Sequence, residues 1–415
     1  MALPPLQPKK PMDGLTRRSL LKASGVVGAS ALLAGAAKVG WDDIMARAAS
    51  TPLAAGTPIL VLVTMYGGND GLNTVVPYAD PAYHDARPEL AYTPTEVLPL
   101  DGQLGLNPGL KGLSQQWQDK KLAIVRGVGY PKPDHSHFRS MDIWQTASPE
   151  TPVSSGWIGR WLDVAGDDPL LALNIGDVLP PLAVGTKATA AALSLASAPR
   201  ARPASDAVIA QLAASDPSDS AAAAQVAASY AAVQRVQTTF APALAATSAP
   251  AGADKKRSAL ADQLGLVARC IRAGAPNRVY AVSATGFDTH ADEKIAQTAQ
   301  LTSIDQALAQ FRSAMAGHQR AGDVVVMAYS EFGRRVRANA SQGTDHGTAG
   351  PVFVMGDSVR AGFYGDQPSL TDLDNGDLKT TTDFRAVYGE VLHTVLQADP
   401  ARVLDKPLPS LGFLA

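Results

Sequence analysis

The chain of 415 residues contains little cysteine, few aromatic residues and little charge. Cys270 is the only cysteine, which excludes an intrachain disulfide and a thiolate zinc cluster. Charged residues make up 18% of the chain, and 36 Lys+Arg almost balance 38 Asp+Glu. This balance gives no general electrostatic reason to bind nucleic acid. A hydrophobic content of 46% excludes a disordered polymer and allows a sizeable folded core.

The N-terminal segment also lacks an apolar run long enough to span a bilayer, because Lys38 and several glycines interrupt it. Arg17 and Arg18 precede a weakly apolar stretch over residues 23–40. This pattern is typical of an export signal for the twin-arginine translocation machinery, which carries folded proteins. The segment therefore predicts a protein that is periplasmic or secreted.

Ala46-Arg47-Ala48 fits the small-x-small rule for cleavage of such a signal. We predict a signal peptide over residues 1–48 and a mature α/β domain over residues 49–415, without a transmembrane helix. An uncleaved signal that tethers the protein to the membrane is the alternative.

Continuous apolar runs recur along the rest of the chain and are typical of strands buried on both faces of a parallel sheet. Five runs have this character: residues 58–66, 121–126, 278–283, 323–329 and 351–355. Helical patterns of apolar residues lie at 258–273, 296–315 and 383–396. The alternation predicts an α/β fold with a central, mainly parallel sheet sandwiched by helices.

Residues 185–253 differ from the rest because Ala, Ser and Pro dominate the segment. Alanine favours helix, whereas Pro199, Pro203 and Pro250 mark turns. We predict an Ala-rich helical insertion or cap, with a partly ordered linker as the alternative for its ends.

Polar side chains follow the predicted strands, at the edge where open parallel sheets bind ligands. In chain order they are Asp70, the run Asp134-His135-Ser136-His137, Asp288 and His290, Ser330 and Glu331, and finally Asp345 and His346 just before the last strand. Each also has an ordinary explanation as a turn residue, a helix cap or a solvated charge. Their shared placement at strand ends favours a common site.

Carboxylates and imidazoles without thiolates suit divalent ions such as Zn, Mn, Mg or Ca. Gathered at one edge, these residues have enough ligands for two ions, which can clamp the attacking and leaving oxygens of a displacement. Ser136 is predicted at a helix start, where the helix dipole and a nearby ion favour its alkoxide as a nucleophile. Direct attack by water is the alternative.

Several motifs resemble the exported bacterial family known as domain of unknown function 1501, which is grouped with the alkaline phosphatase and sulfatase superfamily. They are Gly67-Gly68-Asn69-Asp70-Gly71-Leu72-Asn73, Ser136-His137-Phe138, Gly286-Phe287-Asp288-Thr289-His290, Ser330-Glu331-Phe332-Gly333-Arg334, Gly343-Thr344-Asp345-His346-Gly347 and Asp383-Phe384-Arg385-Ala386-Val387-Tyr388. The resemblance implies an alkaline phosphatase-like sheet between helices and a two-metal site for phosphate or sulfate esters.

The resemblance also implies roles for individual residues. Ser136 matches the nucleophile, and the implied metal ligands are Asp70, Asp288, His290, Glu331 and His346; Asp345, beside His346, is a further candidate ligand. Asp345 has an alternative role, which is to orient His346. The chain departs from the superfamily because Asp288 and His290 are one residue apart, Glu331 replaces an aspartate, and the sulfatase signature is absent around Ser136.

These observations predict an exported metal-dependent hydrolase of phosphate esters, ahead of sulfate esters. Arg139, Arg334 and Arg335 are candidate clamps for a small anionic ester, or else solvated surface arginines. The alternatives are a non-catalytic protein that binds a protein partner or ligand on a degenerate fold, and a purely structural metal ion.

Overall fold

The computed structural model describes residues 39–166, 168–176, 179–195 and 258–415. Of the predicted signal peptide, residues 1–38 lie outside the described residues. Of the predicted Ala-rich insertion, residues 196–253 lie outside them too, and residues 191–193 form a strand.

The described strands and helices are numbered in chain order. The strands are β1 (Ile59–Met65), β2 (Val75–Val76), β3 (Leu98–Pro99), β4 (Gly105–Leu106), β5 (Leu122–Gly129), β6 (Ala172–Ile175), β7 (Ala191–Leu193), β8 (Val279–Ala284), β9 (Val324–Ser330), β10 (Gly350–Met355), β11 (Gly362–Tyr364), β12 (Leu373–Asp374), β13 (Asp377–Leu378) and β14 (Thr382–Asp383). The helices are α1 (Trp41–Ser50), α2 (Pro81–Ala86), α3 (Lys111–Gln118), α4 (His137–Thr146), α5 (Trp157–Ala165), α6 (Ala259–Arg272), α7 (Glu293–Met315) and α8 (Phe384–Glu390), which continues as a π-helical turn over Val391–Val395.

One nine-stranded sheet organises the described residues, in the order β11-β5-β10-β9-β1-β8-β6-β7 with β14 beside β5. Strand β10 pairs antiparallel with both of its neighbours, and the other pairings in this sheet are parallel. The predicted central, mainly parallel sheet is therefore confirmed. All five predicted strands and all three predicted helical segments are present.

The central strands are apolar throughout because both faces of the sheet are covered. In β1, Leu60 and Leu62 face a core shared with α4, α5 and α8. Ile59, Val61 and Val63 face the opposite core, shared with α1, α3, α6 and α7. Helices thus sandwich the sheet, as predicted.

The direction of β10 explains how the last predicted motif joins the others. The start of β10 pairs with the end of β5, since Gly350 lies opposite Val128. The loop that precedes β10, with Asp345 and His346, therefore reaches the edge where β1, β5, β8 and β9 end. Loops scattered along the chain meet at this edge.

Within the described residues, no helix has the length and apolar character needed to cross a membrane.

Candidate metal centre

Three side chains converge at this edge: His137 at the start of α4, Asp288 after β8 and His346 before β10. Oδ1 of Asp288 lies 3.4 Å from Nε2 of His137 and 3.2 Å from Nε2 of His346. His290 lies at the rim, with Nε2 at 2.9 Å from the same oxygen and 3.0 Å from Nε2 of His346. We call these four residues the histidine cluster.

Hydrogen bonds behind two of the rings determine which nitrogen faces the cluster. Nδ1 of His346 donates to the carbonyl of His135 at 2.7 Å, and Nδ1 of His137 donates to Oε1 of Glu331 at 2.8 Å. Because both partners are acceptors, Nδ1 carries the proton of each neutral imidazole and Nε2 keeps its lone pair. Both lone pairs face Asp288. Nε2 of His137 is buried and has no hydrogen-bond partner among the described residues.

This arrangement fits a divalent ion. Two nitrogen lone pairs and a carboxylate oxygen that face one another are unfavourable unless a cation lies between them. The separations of 3.2 and 3.4 Å agree with the roughly 3.3 Å expected between ligand atoms of one tetrahedral zinc ion. Imidazole and carboxylate without thiolate suit Zn²⁺ and its neighbours in the first transition row.

Asp288 is the anionic member of the cluster, and its side chain is 50% exposed. Partial burial acts to raise the pKa of Asp288, but Arg334, through its hydrogen bond and its positive charge, contributes most to holding that pKa well below its usual range. The carboxylate is therefore ionised at neutral pH. Its exposure leaves one side of the cluster open to a ligand from solution.

Gly67 and Gly68, which follow β1, allow the loops around Asp288 to approach closely. The φ angle of Gly67 is +120°, and a Cβ there would lie 2.5 Å from the backbone nitrogen of Asp288. A Cβ on Gly68 would lie 2.1 Å from the ring of Phe332. Only glycine fits at these two contacts, which explains the paired glycines of the first motif.

Arg334 is a buried connector between these loops and does not match its predicted role as an anion clamp. Its side chain has no exposed area, and Nη2 donates to Asp288 at 2.8 Å. The remaining donations go to carbonyl oxygens of Gly67, Gly68, Phe287 and Thr344. With its donors used inside the protein, Arg334 positions Asp288 and contacts no solvent.

Two predicted ligands support the cluster from outside it, Glu331 from behind and Asp345 from the exposed rim. Glu331 is 1% exposed, and its Oε1 accepts from both the Gly67 amide and His137. It orients the His137 ring from behind, as carboxylates that support metal-bound histidines do. Asp345 is exposed, and its Oδ1 lies 3.6 Å from Nδ1 of His290. That position agrees with an orienting carboxylate, although its partner is His290 and not His346.

Asp70 is not brought to the histidine cluster. Both of its oxygens accept from the guanidinium of Arg87, and both side chains are fully buried. Burial acts to raise the pKa of Asp70, but Arg87 outweighs it and lowers that pKa. The predicted ligand of a second ion thus has an internal cation as its partner.

The predicted nucleophile Ser136 and the two remaining predicted anion clamps, Arg139 and Arg335, each contact other residues of the chain. Ser136 is the N-cap of α4, and its hydroxyl accepts from the Arg139 amide at 3.5 Å. The Arg139 guanidinium donates to Asp142 at 2.6 Å, one turn along the helix. Arg335 is partly exposed and lies 3.7 Å from Asp377. The predicted role of Ser136 as a nucleophile stays a prediction.

His137 is among the polar residues predicted at this edge but not among the residues assigned as metal ligands. It stands in the same loop as three other predicted polar residues, directly after a helix cap. Its partner Glu331 is 194 residues away along the chain. The two residues come together only at the folded sheet edge. The sequence feature that could have identified His137 as a ligand was therefore its position after a predicted strand.

Comparison with solved structures finds distant likenesses. One is a protein in the alkaline phosphatase superfamily from Vibrio parahaemolyticus, with 8% identity, a TM-score of 0.41, and coverage of 88% of this chain and 78% of that one. Another is the alkaline phosphatase from the Antarctic bacterium TAB5, with 12% identity, a TM-score of 0.35, and coverage of 75% and 95%. At these scores and identities the likeness gives no evidence about activity. No curated protein matches the sequence.

A family model does match. It covers residues 180–407, more than half of the chain, and bears the description "Protein of unknown function (DUF1501)". The match includes the loops that carry Asp288, His290, Glu331 and His346, whereas His137 lies before it. The chain therefore belongs to the DUF1501 family.

Proposed function

We propose that this protein is an exported metal-dependent hydrolase of phosphate esters, with one divalent ion held by His137, Asp288 and His346. The observation that carries the proposal is the convergence of two Nε2 lone pairs on Oδ1 of Asp288. Phosphate esters, ahead of sulfate esters, are the substrate class implied by the resemblance of the sequence motifs to the alkaline phosphatase and sulfatase superfamily. Zn²⁺ is the ion that this donor set suits best.

The chain's own groups fix the geometry of that centre before any ligand arrives. Glu331 and the His135 carbonyl hold the two rings in one tautomer, and Arg334 holds the carboxylate of Asp288. Preorganised ligands lose little entropy on binding, which favours a tightly held ion. When bound, a divalent ion supplies Lewis-acid polarisation of an ester oxygen and activates water.

We propose one ion and not two, because two other predicted carboxylate ligands already have partners within the protein. Arg87 neutralises Asp70, and Glu331 is used behind His137. The exposed side of Asp288, next to His290, is where an anionic ester can approach. Because the Ser136 hydroxyl accepts from the helix that it caps, we assign the attack to water.

A non-catalytic binding protein is the second candidate, and one observation favours it. Arg334 and Arg139, two of the predicted anion clamps, use guanidinium donors on Asp288 and Asp142 within the protein. With two of its three predicted clamps engaged in this way, a metal centre can bind a ligand and still hydrolyse esters poorly.

Metal analysis and turnover of the purified full chain test the proposal. We expect one equivalent of Zn²⁺ per chain and hydrolysis of an aryl phosphate that exceeds hydrolysis of the matching aryl sulfate. Asp288→Asn should lose both metal and turnover. Glu89→Gln, which removes an exposed carboxylate outside the histidine cluster, is the control and should keep the metal.

The outcomes separate the candidates. Metal binding without turnover of either ester identifies the non-catalytic protein. A chain that takes up no Zn²⁺, Mn²⁺, Mg²⁺ or Ca²⁺ overturns the metal centre itself.

A further inference from the structure

Helix α1 lies across the predicted signal-peptide boundary and belongs to the folded domain. Ile44 is fully buried and Ala48 is 5% exposed, and both join the core that contains Ile59 and Leu264. Just before the helix, the Val39 amide donates to the carbonyl of Ala192 at 2.8 Å. That bond lies along the outer side of β7, the edge strand of the sheet, and gives the Ala192 carbonyl a hydrogen-bond donor there.

Polar contacts attach both ends of α1 to the domain. Arg47 forms an ion pair with Asp168 at 2.8 Å. The guanidinium of Arg269, on α6, lies 5.1 Å from the ring centroid of Trp41. Asp43 is buried and accepts from the Gly40 amide at 2.7 Å, which caps the first turn. Packing in the core, an ion pair and a capping hydrogen bond therefore hold the helix in place.

In the folded protein, Ala46-Arg47-Ala48 is a poor substrate for a signal peptidase. Proteolytic cleavage concentrates at exposed segments with few backbone hydrogen bonds. Here the segment is helical, Ala48 is buried, and the Arg47 carbonyl accepts from the Thr51 amide at 2.8 Å. If the predicted twin-arginine route is used, the domain folds before export, so α1 is already packed when the peptidase acts.

We propose that the export leader ends before Val39 and that α1 stays part of the exported protein. It differs from the predicted cleavage after Ala48, which would fall within α1. The sequence Ala34-Gly35-Ala36 offers the same small-x-small pattern upstream of the described residues. The proposal rests on the predicted export signal and is independent of the metal centre.

The N-terminus of the exported protein tests the proposal directly. The full chain is expressed in a bacterium with the twin-arginine pathway, and the protein recovered outside the cytoplasm is analysed by N-terminal sequencing and intact mass. We expect the first residue at or before Val39. A chain that begins at Ala49, or that never leaves the cytoplasm, overturns the proposal.

A second measurement uses substitutions in the full chain. Ile44→Ala should lower the Tm of the exported protein by about 5 °C, because it leaves a cavity in the core. Ala49→Ser, at an exposed position on the same helix, is the control and should leave the Tm unchanged. If the exported Ile44→Ala protein keeps the parent Tm, α1 is absent from it and the proposal is wrong.

Discussion

The histidine cluster and a second group of ionisable residues differ in how far their carboxylates are exposed and in whether imidazoles surround them. The second group consists of Asp70, Arg87 and Glu293, and we call it the closed cluster. Asp70 follows β1 just as Asp288 follows β8, so both carboxylates start from the same edge of the sheet. Asp70 is fully buried against a guanidinium, whereas the Asp288 side chain is 50% exposed.

The closed cluster contains its own cation. Arg87 also donates to the carbonyls of Val336 and Arg335, at 2.8 and 2.7 Å. Burial, together with the charge of Asp70, raises the pKa of Glu293 to about 9, so Glu293 is protonated at neutral pH. One anion, one cation and one neutral acid therefore balance inside the protein.

The histidine cluster instead faces outward with an anion and lone pairs. Its buried Nε2 atom on His137 has no partner among the described residues. The comparison teaches that a carboxylate after a strand binds whichever cation the fold brings to it. Both carboxylates accept from a buried arginine, so what lets Asp288 take an ion from solution is its exposure and the two imidazoles beside it.

Arg87→Met is expected to have the largest effect, because it leaves Asp70 buried without its cation. Breaking one partner of a buried ion pair costs about 3–5 kcal/mol. Urea unfolding should show this loss, while the metal content of the folded fraction stays at the parent value. The gentler Asp70→Asn should also destabilise without metal loss. A fall in metal content with unchanged stability would place Asp70 among the ligands.

Glu293→Gln tests the neutral acid of the closed cluster through pH. In the folded protein Glu293 keeps its proton up to about pH 9, whereas an unfolded Glu loses it near its ordinary pKa. Since the native state binds more protons across that window, the free energy of unfolding falls as pH rises. Between pH 6 and pH 8 this group should account for about 3 kcal/mol.

Urea unfolding of Glu293→Gln at pH 6 and pH 8 measures how much Glu293 contributes to the fall in the free energy of unfolding. The amide never ionises and can still accept from the Thr344 hydroxyl, as Oε2 of Glu293 does at 2.5 Å. We expect the variant to lose most of the decline seen in the parent. Glu89→Gln, at an exposed position, should keep the parent's decline. Equal slopes in all three proteins would mean that Glu293 is ionised in the fold.

The sheet was predictable because its signal is local. Continuous apolar runs such as residues 323–329 report burial on both faces, and each strand end marks the ligand-binding edge. That logic located Asp288, His290 and His346 correctly at one rim. The direction of β10 could not be predicted from its own residues, yet it is what carries His346 to that rim.

Partner choice was not predictable, because it depends on contacts between distant segments. Arg87 follows the short helix α2, and nothing in its spacing from Asp70 indicates a bidentate ion pair. Likewise, Glu331 and His137 belong to different loops, and a ligand differs from its supporting carboxylate only by which atom faces the cluster. Sequence patterns predict that a side chain lies at the sheet edge, but not which neighbouring residues it contacts there.

Glu331→Gln sharpens the difference between a ligand and a residue behind a ligand. The amide can present its nitrogen or oxygen to Nδ1 of His137 and no longer favours one tautomer, so metal affinity should fall by about 10–100-fold. Competition with a chelator measures this change. Affinity equal to the parent would show that the Glu331–His137 hydrogen bond does not tune the centre.

Ser136→Ala is expected to have the smallest effect, since the structure gives this hydroxyl the role of a helix cap. Loss of an N-cap costs about 1 kcal/mol, and Ser136→Asn, which can cap in its place, should restore that stability. Turnover of an aryl phosphate should survive in both variants, because attack is assigned to water. A fall of more than about 100-fold in both, at parent metal content, would identify Ser136 as the nucleophile. The hydroxyl at the open edge would then join the histidine cluster, and the capping hydrogen bond would describe only its resting position.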